Sequence, residues 1–254
     1  MNEILIDRSG AVLTLTLNRV DKKNSITVAM YTTLADALLQ AATDAALRVV
    51  VIQGHETIFS AGNDIEDFIN PPELTQEPAA FRFLRAISTF PKPLVAAVCG
   101  PAVGIGTTLL FHCDLVYAGD NAAFSMPFVN LGLCPEAASS YLVPQLIGYG
   151  RAAEALLLGE PFLAESALEM GLVSRIVPPS EAAALAQRQA QKLASKPLAS
   201  LVETKRLMKK GQDSIVAERM LEEGASFSRM LHEPAAREAF AAFMQKRKPD
   251  FSRY

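Results

Sequence analysis

Residues 91–106 read PKPLVAAVCGPAVGIG, and the run continues as TTLLFHC to residue 113. Between residues 93 and 113 there is no formal charge, a length that invites reading as a membrane span. Gly100, Pro101, Gly104 and Gly106 interrupt it, and residues of this kind punctuate a chain rather than extend a helix. The segment therefore reads as a buried strand over 94–99, a glycine-containing turn and a short apolar helix through Leu110.

The same alternation extends on both sides. Upstream, AVLTLTLN (11–18) alternates as a strand does, residues 27–47 have helical periodicity with Thr27 as N-cap, and RVVVIQG (48–54) is a β-branched strand. This is a β-β-α-β beginning. After FSAGND comes an acidic, proline-containing loop around Pro71 and Pro72, then a helical stretch over 79–90. Downstream, DLVYAG (114–119) is another strand. Past Arg151 helical patterns dominate, and only LVSRIV (172–177) reads as a strand. The patterns predict an α/β core over 1–180 followed by an α-helical region over 181–254.

Half of the 254 residues are hydrophobic, a fifth are charged and the formal net charge is −3, the composition of a globular chain with a large core. No long run of one sign suggests a nucleic-acid footprint or a polybasic membrane patch. Cys99, Cys113 and Cys134 lack metal-ligand spacing and read as reduced core residues. MNEILID runs directly into alternating apolar positions, without the basic, apolar and cleavage regions of an export signal, so a cytoplasmic location is expected.

Most catalytic signatures are missing: no P-loop, no nucleophile-elbow serine, no paired-His metal helix and no Cys-X-X-Cys. Gly104-Ile105-Gly106 begins like a dinucleotide fingerprint but lacks the third glycine. His112 reads as a satisfied core residue, and His55 and His232 as surface-loop residues. The turns FSAGNDI (59–65) and GPAVGIG (100–106) can leave backbone N–H groups pointing into a cleft, where they would stabilise an oxyanion, or they can be tight turns and nothing more. Glu136, in LGLCPEAASSYL (131–142), stands amid small and apolar residues that would raise its pKa; local sequence alone favours the other reading, an exposed loop or helix-start glutamate after Pro135.

Taken together, these segments resemble the crotonase (enoyl-CoA hydratase/isomerase) superfamily, and the likeness runs from the N-terminal strand to the FMQKRKPDF tail. FSAGNDI is similar to the first oxyanion-hole motif, PKPLVAAVCGPAVGIG to the second, and CDLVYAGDNAAFSMPFVNLGLCPE to the segment that carries the catalytic acids. The resemblance implies a spiral of β-β-α units with a C-terminal helical trimerisation region, a homotrimer or hexamer, and an acyl-CoA thioester substrate whose coenzyme A is part of the substrate, with no other cofactor and no metal. It implies that the N–H groups of Asn63 and Ile105, next to Gly104, form the oxyanion hole, reinforced by the dipole of the following helix. Lys22, Asn24, Ser60, Ala61, Gly62, Asp64 and Ile65 would wall the CoA moiety, and Lys246 would reach its phosphates from a neighbouring subunit.

Hydratases of the family use two glutamates. This chain has Thr108 and Phe128 at those positions, whereas Glu136 falls where peroxisomal-type Δ3,Δ2-enoyl-CoA isomerases keep their single one, in the series Pro135-Glu136-Ala137-Ala138-Ser139-Ser140-Tyr141. The resemblance thus implies a 1,3 proton shift by Glu136. The alternatives are another crotonase chemistry, such as hydration, or acyl-CoA binding without turnover. Phe227, Met230, Phe240 and Phe243 fall on one helical face and are expected either to bury against a second copy or to cap their own core.

Overall fold

Strands β1 (Ile4–Ser9) and β2 (Val12–Leu17) form an antiparallel hairpin with Ile4 opposite Leu17 and Ser9 opposite Val12. The computed structural model describes residues 2–69 and 77–254, so the loop expected around Pro71 and Pro72 lies outside the described residues. Helix α1 (Val28–Thr43) starts as expected at Thr27, whose hydroxyl accepts the Met30 N–H at 3.2 Å, satisfying one of the orphan donors of the first turn. Then come β3 (Val49–Gln53), the short α2 (Ile65–Ile69), α3 (Ala79–Ser88), β4 (Leu94–Val98), β5 (Pro101–Val103) and α4 (Ile105–Thr108). Next are β6 (Leu115–Gly119), β7 (Ala123–Ser125), α5 (Ser139–Ile147), α6 (Tyr149–Ala153), β8 (Phe162–Leu163), α7 (Ala164–Glu169) and β9 (Arg175–Val177). Four helices follow: α8 (Pro179–Ala194), α9 (Leu198–Lys209), α10 (Asp213–Met230) and α11 (Pro234–Met244).

The main sheet has the order β1-β2-β3-β4-β6-β9, parallel throughout except at the first pair. Parallel strands are covered on both faces, so their sequences are apolar without alternation, as VVVIQ and LVAAV are. Side-chain parity then divides the core. Leu13, Leu15, Val50, Ile52, Ala96 and Val98 face α1 and α3, and Val12, Val49, Val51, Val95 and Tyr117 face Leu185, Ala186 and Ala190 of α8. The helical stretch expected after residue 180 thus begins with a helix that is the second cover of the sheet. Truncating a central residue such as Ile52 to Ala is expected to cost about 2–5 kcal/mol.

Several local expectations differ from what forms. The apolar helix after the second turn is α-helical only through Thr108 and tightens to a 3-10 turn over Leu109–His112. Three further strands that alternation did not flag, β5, β7 and β8, form a small second sheet with β7 in the middle. The expected strand over 172–177 begins only at Arg175, because Leu172 and Val173 bond back to the Ala167 carbonyl, ending α7. Phe227, Met230 and Phe240 pack against a core cluster of their own chain around Phe128 and Val143, leaving Phe243 exposed. Among the described residues no helix is long and apolar enough to cross a membrane, and the uncharged 93–113 run is accounted for by β4, β5 and α4.

Candidate active site

The two glycine-containing turns lie side by side. The Phe59 and Ser60 N–H groups both donate to the Pro101 carbonyl at 3.1 Å, and the Val103 N–H returns a bond to the Ser60 carbonyl at 2.9 Å. Each turn then places one residue of positive φ, Gly62 at 92° and Gly104 at 56°, immediately before the expected donor. A side chain at either position would be strained, and a Cβ on Gly62 would also lie 3.0 Å from the Val103 carbonyl oxygen. The Gly62 carbonyl accepts from Ile26 and the Asp64 N–H donates to the Ile26 carbonyl, while the Gly104 N–H is taken by Ser125 at 2.9 Å. The N–H groups between these bonds, on Asn63 and Ile105, have no acceptor among the described residues. Two unpaired donors on adjacent turns suit a developing oxyanion.

Several of the residues expected to wall the substrate form the frame of these turns. Asn24 is fully buried: its Oδ1 accepts the Arg19 N–H at 2.7 Å and its Nδ2 donates to the Ile58 and Phe59 carbonyls. Ser60 is equally buried, donating to the Asn24 carbonyl and accepting the Gly62 N–H. The Ala61 N–H donates to Lys23, and Ile65 opens α2. Asp64 pairs with Arg19 at 2.5 Å; although burial opposes it, the hydrogen bonds from Arg19, the Glu66 N–H and Ser25 hold its carboxyl below the usual range. Lys22 and Lys246 are exposed and neither lines the cavity described below.

Glu136 sits on the loop before α5, two residues ahead of its N-cap Ala138, rather than within the helix. Ala137 and Ala138 both have positive φ, 62° and 55°, a costly conformation for residues with a Cβ. Side chains of three residues hold it. The buried Glu223 of α10 accepts the Ala138 N–H at 2.6 Å on one carboxylate oxygen and the Ser140 N–H at 2.9 Å on the other. His112 Nε2 lies 2.9 Å from the Ala137 carbonyl; burial pushes this histidine down to about 4, so the neutral ring donates there. Thr108 Oγ1 donates to Glu136 Oε1 at 2.5 Å. Burial raises the Glu136 carboxyl to about 8, opposed by the Thr108 hydrogen bond and reinforced by the charge of Glu223.

Glu136 and Asn63 line one cavity of about 370 Å³, together with Asp64, Asp67 and apolar groups from α3 and α10. The two aspartates are committed elsewhere, Asp64 to Arg19 and Asp67 to the Val28 N–H at 2.7 Å. Phe128 is buried in the core and does not reach the cavity. Tyr31 does, and its hydroxyl donates to Asn63 Oδ1; burial and then the Glu136 and Asp67 charges raise its pKa well above the usual value. His232, expected on a surface loop, is exposed and also lines the cavity. Ile105 lies outside the lining, its side chain in the core and its N–H on the turn that abuts Asn63's.

An unpaired N–H and a carboxyl of raised pKa on one cavity, with a second unpaired N–H on the adjoining turn, suit proton transfer next to a carbonyl. A profile of the enoyl-CoA hydratase/isomerase family matches residues 7–253. The chain belongs to that family. Its α/β architecture with a helical C-terminal region is the crotonase fold, and it is similar to the crystal structure of an enoyl-CoA hydratase/isomerase from Pseudoalteromonas atlantica T6c, with a TM-score of 0.96 and 39% identity over 98% of this chain and 100% of that one. It is 42% identical to rat enoyl-CoA delta isomerase 2 over 70% of this chain, a match that spans 46% of that relative's length. It is 32% identical to the 2,3-dehydroadipyl-CoA hydratase of Escherichia coli K12 over 99% of both chains. This enzyme therefore has both isomerases and hydratases among its relatives.

Glu136 and both turns stand out in the sequence, whereas Glu223, Tyr31 and the use made of Thr108 and His112 do not. Nothing local marks Glu223, which is 87 positions from Glu136 and lies in an ordinary helical pattern. Thr108 was legible only as a position where an acid is missing.

Proposed function

We propose that this enzyme is an isomerase that converts a 3-enoyl-CoA to the trans-2-enoyl-CoA. The observation that carries the reading is the solitude of Glu136: the other carboxylates lining the cavity are held by an arginine and a backbone N–H, and the two positions where hydratases carry glutamate hold Thr108 and Phe128. Hydration needs a base on the water and an acid at the carbon that it protonates, whereas a 1,3 shift needs one group that takes a proton and returns it. The Glu136 carboxylate removes the C2 proton, the Asn63 and Ile105 N–H groups take up the charge on the thioester oxygen, and the carboxyl delivers the proton to C4 of the dienolate. Each such donor contributes on the order of 3 kcal/mol to the transition state. A carboxyl near 8 is matched to a carbon acid better than an ordinary glutamate, because basicity rises with pKa.

In this reading coenzyme A enters as part of the substrate, and no metal or second cofactor takes part. The backbone around residues 60–65, held by Asn24 and Ser60, walls the CoA moiety beside Lys22, and Lys246 reaches its phosphates from a second subunit of a cytoplasmic trimer or hexamer serving oxidation of unsaturated acyl chains. A stable monomer by light scattering at micromolar protein would contradict that assembly. The test of the activity is a pair of assays on the wild-type enzyme. Growth of the conjugated thioester absorbance from 3-enoyl-CoA, with slow or no hydration of 2-enoyl-CoA, is expected; brisk hydration with 3-enoyl-CoA untouched would replace the isomerase by a hydratase.

A further inference from the structure

Among the described residues one side chain bonds to that of Asn63: the Tyr31 hydroxyl, on α1, donates to Asn63 Oδ1. We infer that Tyr31 is a positioning residue for the oxyanion site, which by holding Oδ1 keeps the Asn63 side chain from capping the Asn63 N–H. The inference deepens the acyl-CoA reading and rests on the Asn63 N–H being an oxyanion donor, but not on which reaction Glu136 performs.

The backbone of the turn is fixed without Tyr31. The Gly62 carbonyl accepts the Ile26 N–H at 2.8 Å, and the carbonyl and following N–H of a trans peptide point in opposite directions, so the Asn63 N–H is directed away from Ile26. No backbone bond sets the side chain. An asparagine can hydrogen-bond to its own or a neighbouring backbone N–H, so a free Oδ1 competes with the thioester oxygen for the donor. It also brings a partial negative charge beside the one that develops there. The second donor has no such competitor, because the Ile105 side chain is apolar and buried. Of the two, only Asn63 needs the restraint.

Tyr31 is held firmly enough to supply it. The residue is buried in the first turn of α1, and that turn is tied down by Asp67 on the Val28 N–H at 2.7 Å and by Thr27 on the Met30 N–H at 3.2 Å. Its ring packs against Phe83 of α3 with centroids 5.5 Å apart. Because Oδ1 carries no proton, the phenol is the donor, and the amide end left without an acceptor among the described residues is Nδ2, itself a donor. Asn63 thus meets the reaction cavity that it lines with its acceptor end already occupied. Burial, then the Glu136 and Asp67 charges, hold the phenol pKa well above its usual value, so the hydroxyl still donates at the pH where Glu136, raised to about 8, ionises.

Ionisation of bound acetoacetyl-CoA tests this, because the thioester loses its C2 proton, spreads the charge onto the thioester oxygen and gains near-ultraviolet absorbance as it does so. Tyr31→Phe removes the hydroxyl and keeps the ring. The ionisation constant of the bound ketoester, and kcat on 3-enoyl-CoA, are each expected to fall on the order of tenfold, as for losing one hydrogen bond to a charged group. KM and the affinity for a saturated acyl-CoA stay near wild type. The deciding protein is the double variant: Asn63→Ala deletes the competing oxygen, so Tyr31→Phe with Asn63→Ala is expected to ionise the ketoester better than Tyr31→Phe alone and as well as Asn63→Ala alone. Losses that multiply, or a Tyr31→Phe indistinguishable from wild type, would overturn the inference and leave the ring as packing on Phe83. Should Tyr31→Phe fail to fold, Asn63→Asp decides, because it sets a second acceptor oxygen there that one hydroxyl cannot hold; ionisation equal to that in Asn63→Ala would overturn the inference as well. The expected pattern without turnover of 3-enoyl-CoA removes the isomerase reading alone, whereas no binding of acetoacetyl-CoA removes both.

Discussion

Thr108→Val replaces a hydroxyl by a methyl of nearly the same shape at a fully buried site and removes the only hydrogen bond from a described side chain to the Glu136 carboxyl. That bond favours the ionised form and counters the burial that raises the group to about 8. Hydrogen bonds to charged groups are worth about 1.5–3 kcal/mol, so its loss moves the carboxyl up by about one to two pH units. With a pKa near 8, about a tenth of the free enzyme carries the carboxylate at pH 7; after the substitution about one part in a hundred to one in a thousand does. The expected result is a kcat/KM at pH 7 lower by roughly ten- to a hundredfold, with the inflection of the pH profile displaced upward and activity recovering at high pH. Stopped-flow absorbance of the conjugated product across pH 6–10 measures this, and Thr108→Ser is expected to restore the wild-type profile. An unmoved inflection in Thr108→Val would refute the role given to the hydroxyl. A loss equal at every pH would show that the residue only shapes the loop.

Other substitutions separate the remaining parts. Glu223→Gln leaves one of the Ala138 and Ser140 N–H groups facing an amide NH2 and removes a neighbouring negative charge, so urea unfolding is expected to show a loss of ~2 kcal/mol and the pH profile a lower inflection; an inflection at its wild-type place would limit Glu223 to folding. Asn63→Pro deletes the N–H and is expected to abolish turnover, while Asn63→Ala keeps the donor and loses only the Tyr31 bond, with a smaller defect; equal losses in two folded proteins would mean the side chain is what matters. Glu136 holds its proton in the folded state up to about pH 8, against an ordinary value of 4.5, so the wild type loses stability as pH rises between them. Glu136→Gln is accordingly expected to melt higher than wild type at pH 8.5 and by little or nothing at pH 4.5, and equal melting temperatures at both pH values would show an exposed carboxyl.

The legible parts of this molecule are those in which local pattern and final environment coincide. VVVIQ and LVAAV are apolar because both faces of a parallel strand are covered, and Thr27 precedes an apolar periodic run because a helix start needs a side-chain acceptor. Short strands such as Phe162–Leu163 leave too few residues for alternation to register, and pairing with β7 decides them. The site divides the same way. The turns and Glu136 lie within continuous motifs, but the groups that hold the Glu136 loop and carboxyl come from α4, the 3-10 turn after it and α10, brought together by tertiary packing. The face of Phe227, Met230, Phe240 and Phe243 shows the converse: periodicity marks an apolar stripe without saying what covers it, and three of its members pack on a core cluster of their own chain while Phe243 is exposed.

The most direct measurement of the central claim is isomerase turnover by Glu136→Gln beside its affinity for a saturated acyl-CoA. The amide keeps the shape and hydrogen-bonding capacity of the side chain and cannot take the C2 proton. If Glu136 is the sole proton carrier, kcat falls by roughly a hundred- to ten-thousandfold while binding stays near wild type. Full conversion of 3-enoyl-CoA by the folded Gln variant would contradict the account and send the search for the base elsewhere in the cavity.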